Sequence, residues 1–127
     1  MKNTEVRMEE LIKILSCEEE AFTPIHTYNN WTVGIINYCD RLKEENLAKV
    51  ECHIETDEVF IPVLGKSALH IGRNREQRIE MEIGKAYNVR KGTWHAVSMS
   101  EDAKIFIVEN KGTNSENSKV IFDKEKD

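Results

Sequence analysis

A chain of 127 residues with a formal charge of −5 is one domain by size, able to bury roughly two thirds of the surface its unfolded form would expose. Its basic residues are scattered, which excludes a nucleic-acid backbone as partner, because phosphate neutralisation needs clustered Lys and Arg. No stretch reaches the roughly 20 apolar residues that span a bilayer, and "MKNTEVRMEELIKIL" breaks every apolar run with charge, so a soluble, cytoplasmic protein with no membrane partner is expected.

In chain order, Met8, Leu11, Ile12 and Leu15 recur at helical spacing, and the reading is a short N-terminal helical segment over 1–22. Ser16 with Glu19 offers a capping box for one further turn before "TPIHTYNN" breaks regular structure. From Trp31 the period changes. "WTVGIINY", "LAKVECH", "EVFIPVL", "SALHIG", "RIEMEI", "WHAVSM", "KIFIVEN" and "KVIF" are β-branched or aromatic runs separated by turn-rich segments such as "GRNREQ" and "GKAYN". About eight short strands at this spacing favour an all-β sandwich or barrel over a parallel βαβ fold. The ending 123–127 reads as a frayed tail. Cys17, Cys39 and Cys52 are odd in number and widely spaced, which reads as reduced, mostly buried thiols and not a disulfide framework.

The stretch "ECHIETDEVF", residues 51–60, carries one histidine and four carboxylates into an apolar run. Strand side chains alternate faces, so Lys49, Glu51 and His53 share one side, and Glu58, Phe60, Pro62 and Leu64 share a side of the next strand. If both strands line one cavity, Glu51, His53 and Glu58 converge inside it as ligands or acid/base groups. Downstream, "GKAYNVRKGTWHAVSM" delivers His95 onto a face shared with Val97 and Met99.

These residues resemble the cupins. Glu51, His53, Glu58 and Gly65 stand at the spacing of the first cupin motif, with glutamate in place of the first histidine. Gly84, Gly92 and His95 match the second motif, while Arg90 and Met99 depart from it. The resemblance covers a motif-bearing core over 47–110 and is strongest to small single-domain cupins, some likened to sugar-phosphate isomerases. It implies a single domain over 1–127 folded as a jelly-roll barrel (a double-stranded β-helix). It also implies a divalent metal, Mn, Fe, Ni or Zn, held by His53, Glu58 and His95, with Glu51 where the remaining histidine would be. Two histidines and a carboxylate suit several such metals. Glu51 is then either a fourth ligand favouring a harder cation or a contact to substrate or to a Lys or Arg across the barrel.

The function implied is a metal-dependent enzyme of isomerase or lyase type acting on a small polar molecule such as a sugar or sugar acid, with Glu51 or Glu58 and a nearby histidine moving a proton. The alternatives are a non-catalytic small-ligand binding or sensing cupin and an iron-dependent dioxygenase. His26 and His70 read as ordinary hydrogen-bonded histidines, Trp94, Tyr38, Phe60 and Met99 as core, and Glu55 and Asp57 as solvated groups, with Thr56 and Asp57 shaping the bend between strands. A homodimer is expected because small barrels expose strand edges, which "WTVGIINY" or the N-terminal helix would cover.

Overall fold

Alternation of apolar and polar residues along short runs produces paired strands with one buried face, and all eight runs read from the sequence are strands. The computed structural model describes residues 11–123. Ten strands follow in order: β1 (Ala21–Tyr28), β2 (Trp31–Asn37), β3 (Lys49–His53), β4 (Glu58–Leu64), β5 (Ser67–Ile71), β6 (Gln77–Met81), β7 (Tyr87–Val89), β8 (His95–Met99), β9 (Lys104–Asn110) and β10 (Ser118–Phe122). They form two five-stranded antiparallel sheets, ordered β1-β2-β9-β4-β7 and β10-β3-β8-β5-β6, the jelly-roll barrel expected. Among the described residues no helix is long and apolar enough to cross a membrane.

The N-terminal segment departs from its reading. Residues 1–10, with Met8 of the expected stripe, lie outside the described residues, as do 124–127 of the expected tail. From Ile12 to Glu18 the chain has no helix, and Ile14 is 90 % exposed. The Ser16 capping box does not form. Asn37 Nδ2 donates to the carbonyls of Cys17 and Glu19 at 2.9 Å each, and Lys104 Nζ donates to the Cys17 carbonyl at 2.9 Å. Side chains of β2 and β9 thus take backbone acceptors that a helix would use itself, and the segment lies against the sheet.

The stretch "TPIHTYNN", read as a break, is mostly β1 in a hairpin with β2. Pro24 is tolerated because β1 is a sheet edge, where a missing N–H leaves no ladder bond unmade, and the register shifts between Pro24 and His26. Asn29 closes the hairpin at φ 52°, a left-handed conformation that asparagine adopts more readily than most residues. Gly34 in β2 lets Phe22 cross it, since a Cβ there would fall on the Phe22 ring.

Apolar residues fill one end of the barrel. Leu69, Met81, Met99, Ala103 and Ile105 form the packed core, and Ile36, Leu42, Phe60 and Ile107 continue it to the wall of a cavity at the other end. Ile105 lies on β9, between β2 and β4, with no exposed surface. Ile105→Ala is expected to cost about 2–5 kcal/mol, the range for a cavity left in a well-packed core. Val108→Ala, on the opposite face of the same strand, is expected to cost less than about half of that. Urea unfolding of both variants checks the pair, and equal losses would mean that β9 buries both faces alike.

Candidate functional site

The cavity at the open end of the barrel has a volume of about 690 Å³ and is lined from both sheets. β3 and β8 pair through Glu51 and His95, which puts Glu51, His53 and His95 on neighbouring strands with side chains on the inner face. One donor atom from each of these three lies within 4.8 Å of the others, a cluster that could hold a metal ion. From the opposite sheet, Glu58 at the start of β4 reaches across. Its Oε1 is 3.1 Å from His53 Nε2 and 3.2 Å from His95 Nε2. All four residues read from the sequence therefore meet in one place.

The other ring nitrogens fix the chemistry of these contacts. His95 Nδ1 lies 2.9 Å from the carbonyl of Thr93, and a carbonyl only accepts, so Nδ1 carries the proton. Neutral His95 then presents its Nε2 lone pair to a carboxylate oxygen at 3.2 Å, acceptor against acceptor. A second proton on the imidazole would turn Nε2 into a donor and make this a hydrogen bond to Glu58, and a metal ion between the two acceptors would fill the same gap. Metal–donor bonds of about 2.1 Å at right angles set neighbouring donors about 3 Å apart, close to the two histidine–Glu58 separations. His53 Nδ1 is 2.7 Å from Ser118 Oγ on β10, which can serve as donor or acceptor and leaves Nε2 free in either role. The turn before β8 supplies the Thr93 carbonyl. Gly92 adopts φ 82° there while its N–H donates to the His53 carbonyl at 2.8 Å, so the glycine ties the second motif to the first histidine.

Glu109, passed over in the sequence, joins the site. It lies directly opposite Glu58 in the β4–β9 register and lines the cavity. The signal was parity, because Ile105, Ile107 and Glu109 share a face of "KIFIVEN" and the first two are buried. Burial, then the charge of Glu58, then a hydrogen bond with that carboxylate push Glu109 up to about 7. Burial also pushes against ionisation of Glu58, but hydrogen bonds from His53 and His95 outweigh it and hold this carboxylate down at about 2. The bond to Glu58 raises His53, against the opposing effect of burial.

Of the residues set aside in the sequence, Phe60 borders the site, with its ring edge-on to His95 at 5.9 Å, and the others stay apart from it. His70, on the outer face of β5, is 2.7 Å from Ser98 Oγ, and His26 packs its ring against Trp31 at 5.8 Å. Asp57 is exposed and accepts from the Lys91 N–H and Asn88 Nδ2 at the bend, while Thr56 Oγ1 meets Thr113 Oγ1. Met99 is core, Phe60 is both core and cavity wall, and Tyr38 packs against the core, half-buried. Trp94 instead carries the Arg73 guanidinium over its ring at 5.8 Å. Cys39 and Cys52 are buried and Cys17 half-buried, all three as free thiols.

The Glu58 and Glu109 shifts have opposite consequences for stability. Glu58, lowered from 4.5, stabilises the fold above pH 4.5 and loses that contribution as pH falls toward 2. Glu109, raised from 4.5 to about 7, holds its proton longer in the folded than in the unfolded chain, so stability falls as pH rises between those values. In chelator-treated protein Glu109→Gln is therefore expected to gain about 1–2 kcal/mol at pH 8, after allowance for solvent screening of a half-buried group, and nothing near pH 4. Denaturant unfolding at both pH values checks it. A gain equal at both would trace to packing, not ionisation.

No family model matches the chain, and no curated protein matches it. Solved structures do. A cupin-2 domain containing protein from Shewanella frigidimarina NCIMB 400 is 26 % identical, with 74 % of this chain and 85 % of that chain covered and a TM-score of 0.58. Pac13, a nucleoside dehydratase, superimposes over 95 % of this chain and 92 % of its own with a TM-score of 0.61 at 8 % identity, and a Streptomyces Pac13 variant with uridine matches equally well, at 0.61. A Bacillus halodurans protein, 15 % identical over 76 % of this chain and 74 % of that one, also reaches 0.61. The chain folds as a cupin-type barrel, and the resemblance carried by its two spaced motifs extends to three dimensions.

Proposed function

We propose that this protein is a metal-dependent cupin enzyme of isomerase or lyase type, acting on a small polar molecule, with a sugar or sugar acid as the class read from the sequence. The observation that carries the reading is the meeting of His53 Nε2 and His95 Nε2 on one oxygen of Glu58, with the His95 proton held on the far nitrogen. His53, Glu58 and His95 would hold the ion, with Glu51 completing the set. A divalent ion bound there would polarise a hydroxyl or carbonyl oxygen of the ligand. Glu58 is engaged by both imidazoles, whereas Glu51 is half-buried at the cavity wall. When Glu51 stays outside the ion's ligand set it is the group assigned to take a proton from the ligand, while Glu58 remains with the histidines. Glu109 lies opposite Glu58 in the β4–β9 pair, and apolar side chains line the cavity beside them. The lyase reading gains support from Pac13, a nucleoside dehydratase on the same type of barrel.

A second reading, a binding or sensing cupin without turnover, is favoured by Glu51 in the place of a histidine. Metal affinity separates the two. Wild type is expected to gain thermal stability on addition of Mn, Fe, Ni or Zn, by about 2.7 kcal/mol at a hundredfold excess over Kd. His95→Ala is expected to lose more of that gain than Glu51→Ala, because it removes a neutral nitrogen donor aimed at Glu58. Melting temperatures of the three proteins with each metal decide it. No shift in wild type would leave the sensing reading, and equal shifts in wild type and His95→Ala would move the ion elsewhere.

The proposal includes a homodimer. β1 is a sheet edge, and Tyr28 at its end and Trp31 at the start of β2 are 58 % and 43 % exposed. Sedimentation at tens of micromolar is expected to give twice the chain mass of 14.7 kDa, and the monomer mass would remove this part of the proposal.

A further inference from the structure

Two cations line the cavity away from the histidines, and nothing in the site above uses them. Lys49 begins β3 on the same strand face as Glu51 and His53. Four residues at about 3.3 Å each set its Cα about 13 Å from that of His53. Its ammonium sits 6.0 Å from the centre of the Phe122 ring. Arg41 reaches the same cavity from the short 3-10 turn Asp40–Leu42. These are the two basic side chains in the cavity lining, and among the described residues neither meets a carboxylate. Lys43, Arg75, Arg78, Lys85 and Lys104, by contrast, each lie against one. Among the described residues other basic side chains outside the cavity also lack an ion pair, so what sets the half-buried Lys49 and the exposed Arg41 apart is their place in the cavity lining, where they offer charge to something that enters it.

The space between the two ends is apolar. Three of the four phenylalanines in the chain, Phe22, Phe60 and Phe122, line it together with Leu42, Val97 and Val120. A ligand covered with hydroxyls would strip them of water against these walls with few partners to replace it. A ring or short hydrocarbon body meets no such cost. At the inner end Glu51 and Glu58 are the partners of the histidines or of an ion held there, whereas Lys49 and Arg41 are the cations left in the lining for a negatively charged group of the ligand. A cavity of about 690 Å³ is of the size that takes small organic ligands.

We propose that the cavity takes a small organic anion with a ring-sized apolar body, its acidic group held by Lys49 and Arg41 and its neutral oxygen end directed at His53, Glu58 and His95. This rests on the reading of the inner end as the seat of the ligand's reacting oxygen, and among small polar molecules it favours an amphipathic acid over the sugar or sugar acid of that reading. Lys49 and Arg41 are specificity residues in this arrangement and take no part in proton transfer.

Calorimetric titration of the full chain with four probes tests it: 4-phenylbutyrate, 4-phenylbutanol, 4-phenylbutylamine and gluconate. Phenylbutyrate is expected to bind at least about tenfold more tightly than each of the others, a difference of about 1.4 kcal/mol. In the double variant Lys49→Gln, Arg41→Gln its affinity is expected to fall to that of the alcohol, with alcohol binding unchanged as the control for folding. His95→Ala is expected to keep the preference for the acid. That preference surviving in a wild type with no metal-dependent shift would sink the metal enzyme and leave this inference standing. Amine or alcohol binding as tightly as the acid, gluconate equalling it, a preference retained by the double variant, or no probe binding at millimolar concentration would each overturn it.

Discussion

One carboxylate oxygen joins the two sheets at the open end of the barrel. Glu58 belongs to the β4 sheet, and His53 and His95 belong to the other, yet both imidazoles reach the same Oε1. A carboxylate only 6 % exposed would cost several kcal/mol if it were left alone, because burial strips its water without replacing it. Two nitrogen partners offset that cost, and they also dictate position. β3 and β8 must lie side by side with Glu51 opposite His95, and β4 must cross them at the level of its first residue. The surrounding polar groups are consequences of that requirement. Thr93 and Ser118 hold the outer nitrogens, and Glu109 shares the remaining charge.

The barrel is divided by this bridge. Behind it the inner face is closed by Leu69, Met81, Met99 and Ile105, packed without polar partners. In front of it the same inner face opens, with hydrophobic walls and charge at both ends. Dispersion and apolar burial therefore stabilise one half, while in the other half the side chains are kept apart and available to a ligand. A polar cluster set against a packed core is pre-organised, since neighbours on rigid strands hold its rotamers.

The fold recurs at 8 % identity in Pac13 and at 15 % in the Bacillus halodurans protein. Such distance is compatible with one architecture because a jelly roll needs inward alternation, turn residues and an edge treatment, and many sequences satisfy them. The chemistry does not travel with the fold, since it depends on the few side chains at the open end. Here these are two imidazoles, three carboxylates and two cations. Glu51, Glu109, Lys49 and Arg41 distinguish this cavity from a generic metal-binding barrel.

Residues close in sequence and governed by strand alternation were legible without coordinates. The eight strand runs and the shared strand face of Glu51 and His53 follow from a period of two, and the resemblance to the cupin motifs supplied Glu58 and the spacing of Gly92 before His95. Glu109 was passed over, although its parity with Ile105 and Ile107 was there to be read, and its partner Glu58 stands 51 positions earlier. Only the tertiary structure decided that these carboxyls face each other across β4 and β9 and that both histidines share one oxygen. Cross-strand register is set by pairing between distant segments, and no local pattern records it. The N-terminus shows the opposite case. Leu11, Ile12 and Leu15 carry a helical period, but a helix of that length is stable only where a partner buries its apolar stripe. Asn37 and Lys104 instead took the carbonyls of Cys17 and Glu19, so long-range hydrogen bonds overrode a local preference.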